Sequence, residues 1–176
     1  ATVAFTLGGG GGNGGSAGEV DIDNGGAIST GGPFAYAILA QSLGGAGGNG
    51  GLAAEASATG GEFSGELGVT IGGTGGEGGS GGAVSVTSDR QISTDDFASA
   101  GIVAQSTGGS GGAGGNAYTM VTTAEGGSNF NLQATVGGSG GSGQHADKVT
   151  VTNAGPITTA KGGSSAILAQ SVGGAG

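Results

Sequence analysis

The sequence predicts an all-β repeat protein, an elongated parallel β-solenoid-like array with GGX segments of polyglycine-II-like character. Three observations carry this expectation: motifs recur every 64 or 65 residues, short stretches alternate apolar and polar side chains, and the glycine tracts keep a period of three.

The repeat comes first because it organises the rest. Ala40-Gln41-Ser42 returns as Ala104-Gln105-Ser106 and as Ala169-Gln170-Ser171, at steps of 64 and 65. Leu7, Ile71 and Val136 keep the same steps, as do Val20, Val84 and Val149, and Ile28, Ile92 and Ile157. One extra residue therefore falls between Gln105 and Val136. The units are 1–64 and 65–129, with a shorter third at 130–176 that is expected to be an excerpt from a longer array.

Each unit opens on a strand signal. Val3, Phe5 and Leu7, and then Leu67, Val69 and Ile71, alternate with small or polar residues, the pattern of a half-buried strand. A glycine tract follows. Gly8 to Glu19 reads GGG-GGN-GGS-AGE, Gly72 to Ala83 reads GGT-GGE-GGS-GGA, and Gly137 to Lys148 reads GGS-GGS-GQH-ADK. Next come the strand signals Val20/Ile22, Val84/Val86 and Val149/Val151, and then Ala37–Ser42 with its copies Gly101–Ser106 and Ala166–Ser171. Shorter tracts, Gly44 to Leu52 and Gly108 to Asn116, keep the triplet phase. Helical periodicity is absent, and glycine at this density costs a helix roughly 1 kcal/mol per residue relative to alanine.

A period of three suits an extended left-handed helix without internal hydrogen bonds, so such rods need neighbours. Two architectures meet that need. In one, the chain winds as a parallel β-solenoid with about three coils of roughly 20 residues per unit and glycine runs at the corners. In the other, tracts from successive units stack as a bundle of polyglycine-II rods flanked by β-sheets. Either way the partners of each repeat are the neighbouring repeats, and exposed ends make stacking on other copies of the chain an expectation.

Composition sets the outer bounds. The chain has 50 glycines in 176 residues, two prolines, no cysteine, no tryptophan and a net charge of -9. Collagen is excluded, since it requires glycine at every third position with abundant proline. Twelve acidic residues against three basic ones, Arg90, Lys148 and Lys161, argue against nucleic acid and against anionic membranes as partners. No apolar run is long enough to span a bilayer in this segment, and any secretion signal is expected to lie outside it.

No motif points to catalysis, a cofactor or a metal. Asp21-Ile22-Asp23-Asn24-Gly25 looks like the start of a calcium loop, but Gly32 stands where a bidentate glutamate is needed and the other units lack both aspartates. A solvated strand face is the better reading. Lys161 precedes its glycines, the reverse of a phosphate-binding loop, and the GxSxG match around Ser139 follows from composition alone. His145 has neither a partner acid nor further ligands nearby in sequence. Gln41, Gln105 and Gln170 share a strand face with Leu39, Val103 and Leu168; the expectation is an amide bonded to backbone at a corner, with contact to a saccharide or partner as the alternative.

With these columns aligned, the chain resembles the passenger repeats of large bacterial autotransporter and surface-adhesin proteins. The best copy of the family pattern runs from Val149 through Asn153, Gly155 and Ile157 to Ala169-Gln170-Ser171, and the second unit departs from it at Ser88 and Arg90. The resemblance implies export to the bacterial outer-membrane surface, an extracellular stalk or filament, and adhesion to a host, abiotic or saccharide surface, without enzymatic activity. A weaker similarity, to polyglycine-II bundle proteins such as glycine-rich antifreeze proteins and phage tail-tip adhesins, implies a binding module for ice or saccharide.

Overall fold

The computed structural model describes residues 2–60, 63–123 and 128–176. The first unit contributes β1 (Thr2–Leu7), β2 (Val20–Asn24), β3 (Ile28–Thr30), β4 (Ile38–Leu43) and β5 (Ala53–Thr59). The second contributes β6 (Phe63–Ile71), β7 (Val84–Ser88), β8 (Ile92–Thr94), β9 (Ile102–Thr107) and β10 (Ala117–Thr123). The third contributes β11 (Ser128–Val136), β12 (Val149–Asn153), β13 (Ile157–Thr159) and β14 (Ile167–Val172). Among the described residues there is no helix.

Every strand pairs, parallel and in register, with its own counterpart in the neighbouring unit. The sheets are β1-β6-β11, β12-β7-β2, β13-β8-β3, β14-β9-β4 and β10-β5. Val20 lies opposite Val84 and Val84 opposite Val149; Gln41, Gln105 and Gln170 line up in the same way. This is a β-solenoid-like array, but its coil is the whole unit and not a third of one. The expectation of three coils of roughly 20 residues fails because, among the described residues, no strand pairs with another strand of its own unit. The register also localises the additional residue: β5 and β10 keep a step of 64, β6 and β11 a step of 65, so it falls between Thr123 and Ser128, outside the described residues.

Each rung is a flattened loop of two antiparallel lanes. The outgoing lane runs through β1, the first glycine tract and β2; after the turn at β3 the return lane runs through β4, the second tract and β5. Cross-lane bonds fix the direction: the N–H groups of Gly45, Gly48 and Gly51 donate to the carbonyls of Gly15, Gly12 and Gly9. A lane of some 23 extended residues spans about 70–75 Å, whereas each rung adds only about 4.8 Å along the stacking axis.

The tracts divide their hydrogen bonds by position in the triplet. First glycines reach to the next rung in the same lane: Gly8, Gly11 and Gly14 donate to Ile71, Thr74 and Glu77, and Gly44, Gly47 and Gly50 donate to Thr107, Ser110 and Ala113. Second glycines reach across: Gly73, Gly76 and Gly79 donate to Gly51, Gly48 and Gly45, and Gly109, Gly112 and Gly115 donate back to Gly79, Gly76 and Gly73. Third residues turn outward, where Asn13 Oδ1 and Asn49 Oδ1 accept from the N–H groups of Glu77 and Ala113 in the next rung, each at 3.0 Å. Glycine fills the first two positions of most triplets, and where rungs stack on both sides backbones meet there. A Cβ on Gly76 would stand 2.1 Å from the Gly12 carbonyl oxygen, and one on Gly47 2.0 Å from that of Gly76.

Among the described residues the apolar core cluster sits at one end of the lanes. Ile38, Ala40, Val84, Val86, Ile92, Ile102 and Ala104 are buried there, flanked by Val20, Ile22, Ile28, Val149, Val151 and Ile157. The other end is inside out. Val3 is 75% exposed, Phe5 65% and Phe130 67%, so the apolar side of these half-buried strands faces outward and the small and polar side faces in. The tract sets this orientation. A Cβ on Gly72 would meet the Gly115 carbonyl oxygen across the lanes, at 2.1 Å, so position 72 faces inward. Strand alternation then turns Thr70, Gly68 and Glu66 inward as well and leaves Leu67, Val69 and Ile71 on the outer face. Inside, Thr70 Oγ1 donates to Glu55 Oε2 at 2.8 Å and accepts from Thr119 Oγ1 at 2.9 Å.

The turn between β3 and β4 is held by a side-chain bond in each unit, Thr30 Oγ1 to Ala35 O (3.0 Å), Thr94 Oγ1 to Ser99 O (2.6 Å) and Thr159 Oγ1 to Ser164 O (3.4 Å). One column of that turn has positive φ: Phe34 at 57°, Ala98 at 51° and Gly163 at 75°. Only the third unit has the residue suited to that conformation. Ala98→Gly is therefore expected to stabilise the chain by about 0.5–1 kcal/mol in urea unfolding, the left-handed strain outweighing the added freedom of the unfolded chain.

Candidate functional site

The most organised exposed side chains lie on the outer face of β4, β9 and β14. Alternation buries Ile38, Ala40 and Ser42 and turns Leu39, Gln41 and Leu43 outward. Parallel register stacks the three glutamines: Gln41 Nε2 donates to Gln105 Oε1 at 2.6 Å, and Gln105 Nε2 donates to Gln170 Oε1 at 2.7 Å. The amides thus form a ladder among themselves and do not cap backbone at a corner. A stacked amide finds its partner one strand spacing away, at about 4.8 Å, which backbone at a lane's end does not offer.

Gln41 and Gln105 of the ladder line an open groove of about 300 Å³ together with Leu39, Val103, Leu168 and the aromatic pair Phe34 and Tyr36. The aromatic pair belongs to the first unit, since Ala98 and Ala100 hold the matching positions in the second and Gly163 and Ser165 in the third. The arrangement offers flat aromatic and amide surface to a polar ligand.

The serine after each glutamine was not singled out by sequence reasoning, and it proves the more deeply engaged of the two. Ser42 Oγ donates to Gly18 O and accepts from the Gly82 N–H, both at 2.8 Å, clamping the return lane to the outgoing lanes of two rungs. Ser106 Oγ accepts from the Asp147 N–H at 3.0 Å, and Ser171 Oγ donates to Asp147 O at 2.9 Å. The signal for this was present, because the serine recurs as faithfully as the glutamine.

The remaining sequence candidates lie apart. Asp21 and Asp23 are exposed on β2, while Asn24 donates through Nδ2 to Gly26 O at 2.8 Å and to Ser88 Oγ at 3.1 Å. Asn153 makes the same turn bond to Gly155 O at 2.5 Å. Among the described residues no group of three or more His, Cys, Asp or Glu is placed to hold a metal. His145 is exposed, and its carbonyl accepts from the Gly81 N–H at 3.0 Å. Ser139 lies in an extended tract, not on a strand-to-helix turn. Lys161 pairs with Asp96 at 3.0 Å, and the Asp96 carboxyl is held below the usual carboxylate range, first by the Phe97 N–H and then by Lys161. No helix among the described residues is long and apolar enough to cross a membrane.

No family model and no curated protein matches this sequence. Among solved structures, the nine polyproline type II helical bundle antifreeze protein of the springtail Granisotoma rainieri is 22% identical over 78% of this chain and 94% of its own, with a TM-score of 0.10. A likeness at that level carries no argument about fold or function.

Proposed function

We propose that the chain is a non-catalytic section of an extracellular structural or adhesive array at a bacterial surface, in which polyglycine-II-type rods form the middle of every rung. The three-residue recurrence of inter-rung and cross-lane bonds supports the rods, since that is the period of an extended helix with no bonds of its own. The observation that carries the array is that β6, β7, β8 and β9 each pair in register with their own counterparts on both sides, which closes the backbones of the middle rung. A Cβ on Gly9, Gly12, Gly15 or Gly18 would meet nothing within 4 Å, whereas the same positions one rung on, Gly73, Gly76, Gly79 and Gly82, face carbonyl oxygens at 1.9–2.4 Å. At the opposite end, Gly137 and Gly140 have the nearest atom at 3.9 and 3.6 Å, where Gly72 and Gly75 have one at 2.1 Å.

The test is height. Chains lengthened by whole units are expected to grow by about 4.8 Å per unit at constant width in small-angle scattering, and to look like slabs in micrographs until some fifteen units make height exceed width. Compact particles whose width grows with unit number would exclude the array. The glutamine ladder and its aromatic pair favour saccharide recognition as a second reading; glycan-array binding by the chain would carry it, and a blank array would remove it.

A further inference from the structure

The outer face of β1-β6-β11 is uncovered by the described residues. Three columns cross the rungs there, Val3/Leu67/Leu132, Phe5/Val69/Ala134 and Leu7/Ile71/Val136, with Phe130 beside them. None of these residues is charged, although the chain carries a net charge of -9. We propose that this face is a lateral docking surface for a second copy of the same array, sheet packed against sheet.

Three observations favour a second copy over other apolar partners. Two chains of equal and strongly negative charge repel, so they meet best through a face that carries no charge. The columns repeat at the strand spacing of about 4.8 Å, and only a surface of the same pitch keeps its ridges in these grooves however many rungs are added. A copy related by a two-fold axis presents the identical face, the commonest arrangement in dimers. The area then sets the strength. Three strands of six, nine and nine residues give roughly 400 Å² per copy, or about 800 Å² in all, below the 1,200–2,000 Å² of a stable interface. Each further unit adds about 150 Å² per copy, so arrays of about five units reach that range. The scaling rests on the stacked-array reading; the face itself does not.

Sedimentation equilibrium compares the 176-residue chain with a chain in which residues 65–129 are repeated twice more. Self-association is expected to be weak in the first and to tighten at least about tenfold per added unit. Phe5→Glu with Leu132→Glu, both at exposed positions on outer strands, is expected to abolish it while the β circular-dichroism signal stays; Phe5→Leu is expected to preserve it. A longer chain that keeps its β signal but stays monomeric at about 100 µM overturns the docking face alone. So does association that ignores the two glutamates, or partition into neutral phosphatidylcholine vesicles in place of self-association. Loss of the β signal on lengthening would instead overturn the array reading, and the effect of the glutamate pair on the 176-residue chain then decides the face by itself.

Discussion

Gly76→Ala is expected to cost this chain about 3 kcal/mol or more, read as a fall in the urea midpoint at unchanged slope. Its Cβ would lie 2.1 Å from Gly12 O and 2.6 Å from Gly12 C, both backbone atoms of the adjoining rung. No side-chain rotamer can relieve that contact, so the rungs must part. Parting strains the Gly76 N–H bond to Gly48 O and the neighbouring Gly14 N–H bond to Glu77 O, each 2.8 Å. Gly12→Ala, at the same place in the triplet one rung earlier, meets nothing within 4 Å and is expected to change stability by less than about 0.5 kcal/mol. The contrast is the sharper measurement. Equal effects at the two positions would mean that the tracts do not stack in this order.

Ile102→Ala is the second large effect, expected at about 3–4 kcal/mol. Ile102 is 0% exposed at the centre of β14-β9-β4, with Ile38 and Ile167 in register on either side. Ile167, in the end rung, is 43% exposed, and Ile167→Ala is expected to cost less than about 1.5 kcal/mol. Lengthening the chain by one unit beyond Gly176 is expected to raise the second cost toward the first, because the difference lies in the missing neighbour. If the two costs are equal in the 176-residue chain, the central rung is not the protected one.

The parallel sheets were legible in the sequence because a column such as Val20, Val84 and Val149 recurs at the step by which the strands pair. The coil length was not legible from strand spacing inside a unit; it follows from the repeat step, which is the pairing offset itself. Which side of β1 and β6 faces inward was not legible from alternation, since Val3, Phe5 and Leu7 would alternate equally well in either orientation. That choice is made by the glycine tract that follows, where position 72 must turn toward the opposite lane. The glutamine face was readable from its spacing to Leu39, but the partner was not. An amide that recurs at the repeat step has its own copy within reach, and that inference needs the pairing offset first. Ser42 escaped notice because its acceptor, Gly18 O, belongs to a main chain 24 residues away on the other lane.

A rung about 4.8 Å high holds a chain of more than sixty residues, which drawn straight would reach over 200 Å. Tension applied along the stacking axis therefore meets a reel. An end rung, secured on one side only, peels first and pays out some forty times its own height before the next is loaded. Pulled this way, a tether of such rungs would lengthen in even steps at a nearly constant force, and would rewind onto the remaining stack when the load is released.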